Sequence, residues 1–327
     1  MIQRNNRRQT ANGDIRPKWF NSPITFHQGA LSDIRKHIPT FERRRFSLTQ
    51  PGGKHLCINQ RLDTIVRMPF GDDKNYIPVS VVSKDYVLVP HTDVLDVAIN
   101  AIESIKIPTT DVNAELRITE YGERMSLSLY LPKQYNFDPG DHNSMSLRLE
   151  CLNSVDGSTR FRALMGWFRF VCSNGLIIGV TKSDVRRRHV GDLRLEDVGL
   201  VLTSGLQESE IEKKNFELWS KTEIKQCRLA NWVDKNVRDE LGFKAAARTF
   251  HIARFGYDAD ILGQYKDNTP TTIAMEKTKR VPGSPTESRN IFDLSQILAW
   301  LAKERRDVQE QMEWREKVPW LIAPLLN

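Results

Sequence analysis

The stretch that decides the fold is residues 151–189, which read CLNSVDGSTRFRALMGWFRFVCSNGLIIGVTKSDVRRRH. Apolar residues alternate with others on both sides of the Asp156-Gly157 turn, and this period of two predicts a pair of β-strands. Asn174-Gly175 is a strong signal for a further hairpin, because both residue types tolerate a positive φ. We therefore predict an antiparallel sheet built around this stretch.

The alternation also assigns side chains to the two faces of one strand. Trp167, Arg169 and Val171 fall on the same face, because successive side chains of a strand point to opposite sides. If that face is exposed, Trp167 offers a ring for base stacking beside the guanidinium group of Arg169. Arg160 and Arg162 approach the same hairpin from its other side. This part of the chain is therefore a candidate surface for nucleic acid.

A run of basic residues closes the stretch and continues just beyond it. The run comprises Lys182, Arg186, Arg187, Arg188, His189 and Arg194. Such a concentration of positive charge after a strand favours an anion-binding surface. The alternative is a solvated run whose charge is partly neutralised by four acidic neighbours.

A second basic cluster lies nearer the N-terminus. Arg43, Arg44 and Arg45 are bracketed by Phe41 and Phe46. Rings interleaved with arginines suit single-stranded nucleic acid, because bases stack on the rings while guanidinium groups meet phosphates. The alternative is an amphipathic segment that buries both rings beneath an exposed charged face.

Length and composition predict a protein with a substantial core. The chain has 327 residues, of which 39% are hydrophobic, and its formal net charge of +7 favours polyanionic partners. No apolar run approaches the roughly 18 residues that span a bilayer, and the basic N-terminus lacks the apolar region of a secretory signal. We expect a cytoplasmic protein without membrane contact.

The remaining periodicities predict the other elements. The N-terminal part should contain a strand pair over residues 76–89, a helix over residues 94–105, a hairpin over residues 115–131 and a loop over residues 132–144. The C-terminal part should contain helices over residues 208–221, 222–241, 243–255 and 290–304. We expect the last of these to continue through Val308 and Met312 until Pro319 stops it.

These elements predict an α+β fold, with a curved antiparallel sheet in the N-terminal two thirds packed by helices and a helical C-terminal third. We assign residues 1–22 to a flexible basic arm and residues 23–205 to the sheet-rich core domain. Residues 206–327 form the helical C-terminal region. Within it, residues 269–290 contain three prolines and little periodicity, which predicts a mobile loop.

Catalytic signatures are weak in this sequence. Asp138, Asp141 and His142 are a candidate metal-binding trio, but their Pro, Gly and Asn neighbours favour Asx turns instead. Cys172 and His189 are a candidate thiol–imidazole pair, although Cys172 belongs to a strongly apolar strand where an inert buried thiol is commoner. No phosphate-binding loop, zinc-protease motif, nucleophile elbow or C-x-x-C pair is present. We expect no cofactor.

The central stretch resembles the DUF932 family of phages, prophages and plasmids. The positions that carry the resemblance are Leu152, Asn153, Ser154, Asp156, Gly157, Ser158, Gly166, Phe168, Arg169, Cys172, Ser173, Asn174, Gly175 and Leu176. The step His189-Val190-Gly191 is similar to a basic-His-x-Gly segment of the family. The resemblance implies a mobile-element setting but no agreed activity. In outline, the predicted architecture is similar to that of single-strand annealing proteins.

We therefore expect a non-enzymatic nucleic-acid-binding protein that forms homo-oligomers and holds single-stranded DNA for annealing or recombination. The alternatives are a metal-dependent enzyme acting on nucleic acid, and a host-takeover factor whose basic surface meets an acidic protein. The candidate binding residues are Arg43, Arg44, Arg45, Arg160, Arg162, Trp167, Arg169, Lys182, Arg186, Arg187, Arg188, His189 and Arg194.

Overall fold

The computed structural model of this protein describes residues 18–49, 53, 56–169, 177–178, 184–187, 197–266 and 269–326. The predicted basic arm over residues 1–22 lies mostly outside the described residues. The Asn174-Gly175 hairpin signal and the Cys172–His189 pair lie outside them altogether.

The elements are numbered in chain order. The strands are β1 (Lys18–Trp19), β2 (Ser22–Ala30), β3 (Phe41–Thr49), β4 (Leu56–Arg67), β5 (Ile77–Ser83), β6 (Asn113–Thr119), β7 (Arg124–Tyr130), β8 (Met145–Ser154), β9 (Phe161–Arg169), β10 (Ile177–Ile178), β11 (Asp184–Arg187), β12 (Tyr257–Lys266) and β13 (Thr269–Arg280). The α-helices are α1 (Leu31–Arg35), α2 (His91–Ser104), α3 (Asp197–Lys221), α4 (Gln226–Trp232), α5 (Arg238–Leu241), α6 (Phe243–Phe255), α7 (Ile291–Lys303) and α8 (Val308–Ile322).

One large sheet organises the molecule. It has eight strands in the order β1-β2-β6-β7-β8-β9-β10, with β11 also beside β9. The sheet is antiparallel and curls into a half-barrel, and the C-terminal region is helical, which confirms the predicted α+β class. The predicted hairpin is formed by β6 and β7, and the predicted helix by α2.

The central strand β8 shows how the sequence pattern divides the sheet into two faces. Leu147, Leu149 and Cys151 belong to the main hydrophobic core on one face. Arg148 and Glu150 alternate with them and therefore lie on the other face. All ten residues of β8 are buried, so both faces of the sheet are covered.

Helices α2, α3 and α7 cover the apolar face. Val94, Leu95 and Ile102 of α2 are fully buried there, as the helical period of their segment predicts. Helix α3 approaches β9 so closely that a Cβ atom at Gly205 would collide with the side chain of Met165. A glycine at this position therefore allows the helix to pack against the strand.

Helix α8 covers the polar face of the sheet. Val308 and Met312 of α8 form a small cluster with Trp19, Leu152 and Leu164. The predicted continuation of α7 towards Pro319 is wrong in one respect. The helix ends at Lys303, and a separate helix, α8, begins at Val308. Asp307 caps α8 by accepting a bond from the backbone N–H of Gln309 (2.9 Å), and Pro319 lies inside α8 instead of ending it.

A smaller sheet of β3, β4 and β5 lies beside the main one. Ile65 and Val82 form a buried cluster with Tyr86 and with Val155 of the β8–β9 connection. The predicted strand pair over residues 76–89 is only half correct, because β5 ends at Ser83. The rest of that segment is held by other means: Tyr86 Oη donates to the backbone oxygen of Ser154 (3.0 Å).

The prediction of a loop over residues 269–290 is wrong for its first part. Residues 269–280 form β13, which pairs with β12 in a two-stranded sheet. Proline is a poor signal against a strand here, because Pro270 lies at the start of β13, where a missing N–H is tolerated. In the described part of the chain, no helix combines the length and apolar character that a membrane span requires.

Candidate nucleic-acid interface

Three of the predicted binding residues lie on β9 and are buried. Trp167 and Arg169 do share one face, but this face packs against the helices and not towards solvent. Trp167 is fully buried and its ring lies 6.5 Å from that of Phe216 on α3. The expectation that Trp167 stacks with bases at the surface is therefore wrong. Both faces of β9 are covered, and alternation alone does not reveal which face is exposed.

Arg169 connects a loop to a helix instead of forming part of a surface. Its guanidinium group pairs with Asp141 and lies over the ring of Phe292 at 5.5 Å. Asp138 accepts a bond from the N–H of Gly140 (2.9 Å), and Asp141 accepts one from Asn143 (3.1 Å). These are the Asx turns that were favoured over a metal site. The described residues contain no group of three side chains suited to a metal ion.

Arg162 belongs to an ionic network on the polar face of the sheet. It is buried and pairs with Glu316 of α8. In the same layer Arg148 donates to Glu150 (2.9 Å) and to Tyr130 Oη (3.1 Å), and Arg315 of α8 also donates to Glu150 (3.2 Å). A buried charge is tolerated only when it is paired in this way. The network therefore fixes α8 on the sheet.

The charged groups of this network change each other's pKa values. Burial alone would raise the pKa of Glu150, but Arg315 and Arg148 outweigh it and hold the pKa at about 2. Tyr130 donates to Glu115 (2.8 Å), and burial raises its pKa to about 12. Glu150 is therefore ionised and Tyr130 neutral at physiological pH, which makes this layer structural.

The pKa of Glu212 on α3 is shifted in the opposite direction to that of Glu150. Burial raises the pKa of its carboxyl group from 4.5 to about 8, while the indole of Trp167 acts in the other direction. A carboxyl group with a raised folded-state pKa binds its proton more tightly in the folded protein. The free energy of unfolding is therefore expected to fall as the pH rises from about 4.5 through 8.

We expect the free energy of unfolding of the Glu212→Gln variant not to show this fall as the pH rises. The variant should exceed the wild type in free energy of unfolding by at least about 1 kcal/mol at pH 9, and match it near pH 4. Urea unfolding of both proteins at the two pH values measures the difference. Parallel stability profiles for the two proteins would contradict the assignment.

The arginines of β3 lie on the small sheet, but they have different environments. Arg43 donates to the backbone oxygens of Lys84 (3.2 Å) and Tyr86, so it anchors the turn after β5. Arg44 pairs with Glu42 and lies over the ring of Tyr76, 4.4 Å from its centroid. Arg45 is exposed.

The cross-strand register shows which face of the small sheet is outermost. Arg44, Thr64 and Val81 are direct neighbours across the three strands and share one face. The next row contains Ile65, which is fully buried, so the opposite face is turned inward. Arg44 and Val81 are exposed, and the Arg44 face is therefore the outer surface.

Tyr76 is a residue of this surface that the sequence analysis missed. Tyr76 is 50% exposed as a residue, and the side chain of Arg44 above its ring is 48% exposed. A ring beside a guanidinium group is the arrangement expected of Trp167 and Arg169, and it occurs here instead. The signal in the sequence is that Tyr76 immediately precedes β5. This strand lies in the same sheet as the arginine-rich strand β3, with β4 between them.

The other predicted residues lie just before β9, on the neighbouring strand β11, or outside the described residues. Arg160 is exposed just before β9. In the ladder between β11 and β9, Arg186 stands opposite Arg162 and Arg187 opposite Phe161. Lys182, Arg188, His189 and Arg194 lie outside the described residues.

Several of the residues that carry the family resemblance lie at the end of β8 and in the β8–β9 connection. Asn153 donates to the backbone oxygen of Val89 (2.9 Å) and its side chain bonds His91 Nδ1 (2.9 Å). Asp156 accepts bonds from both the backbone and the hydroxyl of Ser158 (3.0 and 2.6 Å). Gly157 adopts a φ of +73°, which favours glycine. These positions are architectural.

Comparisons with known proteins agree with this core. A family model described as a domain of unknown function (DUF932) matches residues 78–279. The chain is also similar to the UPF0380 protein YfjQ of Escherichia coli (strain K12), with 48% identity over 42 residues, which are 13% of this chain and 15% of that protein. No solved structure matches the chain. Since the family model covers more than half of the sequence, from β5 into β13, this protein belongs to the DUF932 family.

Proposed function

We propose that this protein binds single-stranded nucleic acid, preferably DNA, on the outer face of the small sheet. The observation that carries the proposal is the half-exposed ring of Tyr76 with Arg44 above it at 4.4 Å. A base stacks on an exposed ring, while an adjacent guanidinium group meets the phosphate or the base face. The pair thus supplies the two contacts that unpaired strands need.

Neighbouring side chains extend this surface. Arg45 and Arg61 are also exposed, but Arg45 stands in the neighbouring row beside Asp63 and Arg61 lies two residues from Asp63, so both belong to the edge of the other face. Val81 adds an apolar side chain beside Arg44 and is itself about half exposed. A strand of nucleic acid that crosses this face would meet Arg44 on β3 and apolar contacts near β5. Affinity is expected to fall steeply with salt, because phosphate contacts release counterions.

The biological setting that we propose is annealing or recombination of DNA in a mobile genetic element. The family resemblance of the β8–β9 region supports this setting, as does the net charge of +7. The protein would act in the cytoplasm as a homo-oligomer, which places many copies of the Tyr76 surface along one strand. Its action would be to hold the strand and not to cleave it.

The test is the binding of a fluorescent single-stranded oligonucleotide, followed by anisotropy at low salt. We expect the Arg44→Ala/Tyr76→Ala variant to bind at least about 10-fold more weakly than the wild type, since stacking contributes about 1–3 kcal/mol per base. The matched control is Arg289→Ala/Tyr121→Ala, which removes an exposed arginine and an exposed tyrosine elsewhere. Its affinity should stay close to that of the wild type.

Two results would overturn the proposal. One is the absence of oligonucleotide binding by the wild type at about 50 mM salt, where electrostatic contacts are strong. The other is an equal loss of affinity in the control variant, which would show that total charge matters and the Tyr76 surface does not. Nuclease-resistant capture of an acidic protein by the same surface, with no oligonucleotide binding, would favour an interaction factor instead.

A further inference from the structure

The small sheet extends into a two-stranded arm. The strand β5 pairs with β4 from Leu62 to Arg67, and beyond that point β3 and β4 continue without a third strand among the described residues. We define the arm as residues 45–49 and 56–61. All of these residues are exposed except Ile58, which is half-buried. From Arg45 to Thr49 the arm extends by roughly 13 Å, at the usual rise of a strand.

A bulge sets the arm off from the rest of the sheet. Arg45 pairs with Asp63, and the next pair is Ser47 with Ile58, so four residues of β4 oppose one residue of β3. Asn59 stabilises the bulge by accepting bonds from the N–H groups of Arg61 (2.8 Å) and Leu62 (3.0 Å). Bulges of this kind bend a strand and redirect its side chains. Here the bulge redirects the outer end of the arm.

The outer end of the arm exposes large apolar side chains on both faces. Leu48 is 71% exposed and Leu56 is 60% exposed. Leu48 pairs with Cys57 and Leu56 with Thr49, and consecutive pairs point to opposite faces. A two-stranded ribbon gains little stability from such leucines in water. Their exposure is therefore unexplained by folding and indicates contact with a partner.

The charge of the arm identifies the chemistry of that partner. Arg45 and Arg61 are exposed within the arm, and Arg44 lies at its base. Exposed leucines beside a cationic base suit nucleic acid, where arginines meet phosphates and an aliphatic side chain enters between two base pairs. A second copy of this chain is disfavoured, because matching arms would bring arginines together.

We propose that Leu48 and Leu56 act as a wedge that unstacks base pairs of duplex DNA when the arm binds. This inference rests on the proposed function and extends it to duplex substrates, at which the wedge would open a strand for the Tyr76 surface. Unstacking one step costs a few kcal/mol, which the phosphate contacts of the arginines would offset. The leucines should therefore affect base stacking more than affinity.

The experiment uses the full chain and a short duplex that carries 2-aminopurine, whose fluorescence rises when its neighbours unstack. The wild type should bind by anisotropy and raise the fluorescence. The Leu48→Ala/Leu56→Ala variant should bind within about 3-fold of the wild type, since phosphate contacts dominate affinity, but lose most of the fluorescence rise. The control Leu200→Ala/Leu218→Ala removes two exposed leucines of α3 and should behave as wild type.

The outcomes separate this inference from the proposed function. If the wild type binds DNA without a fluorescence rise, or if the double variant keeps the rise, the wedge is disproved while binding stands. If the wild type binds neither single strands nor duplex, both proposals fail. A dimer in the absence of DNA that dissociates in the Leu48→Ala/Leu56→Ala variant would assign the leucines to self-association and would also overturn the wedge.

Discussion

The Glu150→Ala variant is expected to lose about 3–5 kcal/mol of its free energy of unfolding, the usual effect of removing one partner from a buried ionic group. Glu150 is buried between Arg148 of its own strand and Arg315 of α8. Without the carboxylate, two guanidinium groups remain close together in the layer between sheet and helix. Burial and like-charge repulsion then both oppose folding.

Urea unfolding at pH 7, followed by circular dichroism, measures the loss. Glu210→Ala is the matched control, because Glu210 is exposed on α3 and pairs with Lys213 on the surface of the same helix. Its effect should stay within about 0.5 kcal/mol. If Glu150→Ala does not fold, the triple variant Arg148→Met/Glu150→Leu/Arg315→Met should restore folding, since apolar side chains often replace a buried ionic group without loss. A single variant as stable as wild type would contradict the network.

The same carboxylate predicts acid sensitivity. Its folded-state pKa of about 2 lies below the ordinary value of 4.5, so the stabilisation is present above about pH 4.5 and is lost as the pH falls towards 2. The difference corresponds to roughly 3 kcal/mol. In the rescued triple variant, the free energy of unfolding should therefore fall less steeply between pH 5 and 2.

The Trp167→Ala variant should also lose about 3–5 kcal/mol, because it opens a large cavity in the core. Trp167 lies between β9 and the helices, against the rings of Phe137 and Phe216. Trp320→Ala is the control, since Trp320 is exposed on α8 and should change stability by about 0.5 kcal/mol or less.

The milder Trp167→Phe variant separates packing from binding. It should fold and bind oligonucleotides within about 2-fold of the wild type, because the ring does not reach the surface. Thermal unfolding and anisotropy of the same sample provide both values. A Trp167→Phe protein of normal stability that no longer binds DNA would show that the indole contacts the ligand.

Local periodicity was enough to predict much of the fold. The two-residue alternation of β6, β7 and β8 and the helical spacing of α2 and α7 are properties of short segments, and they are correct in the structure. Which face of a strand is exposed cannot be predicted from local periodicity. It depends on which helices later cover the strand, and β9 is covered on both sides. Arg162 and Arg169 are buried and pair with Glu316 and Asp141, which are distant from them in sequence.

The candidate site was less predictable than the fold for the same reason. The arginines of β3 were recognised, but the role of Tyr76 depends on the β3–β4–β5 register, which a single tyrosine does not reveal. The arm was missed because Leu48 and Leu56 look like ordinary strand residues. Their exposure follows from the end of β5 and from the bulge at Asn59, and both are tertiary features.

The bond between Arg315 and Glu150 joins residues that are 165 positions apart. During synthesis, β8 leaves the ribosome long before α8 exists. At roughly 5–20 residues per second, Glu150 waits about 8–30 s for that partner. The nascent sheet thus displays a charged face that cannot yet be sealed, which disfavours premature burial against other apolar segments. The polar face of the sheet can therefore be covered only after α8 has been translated.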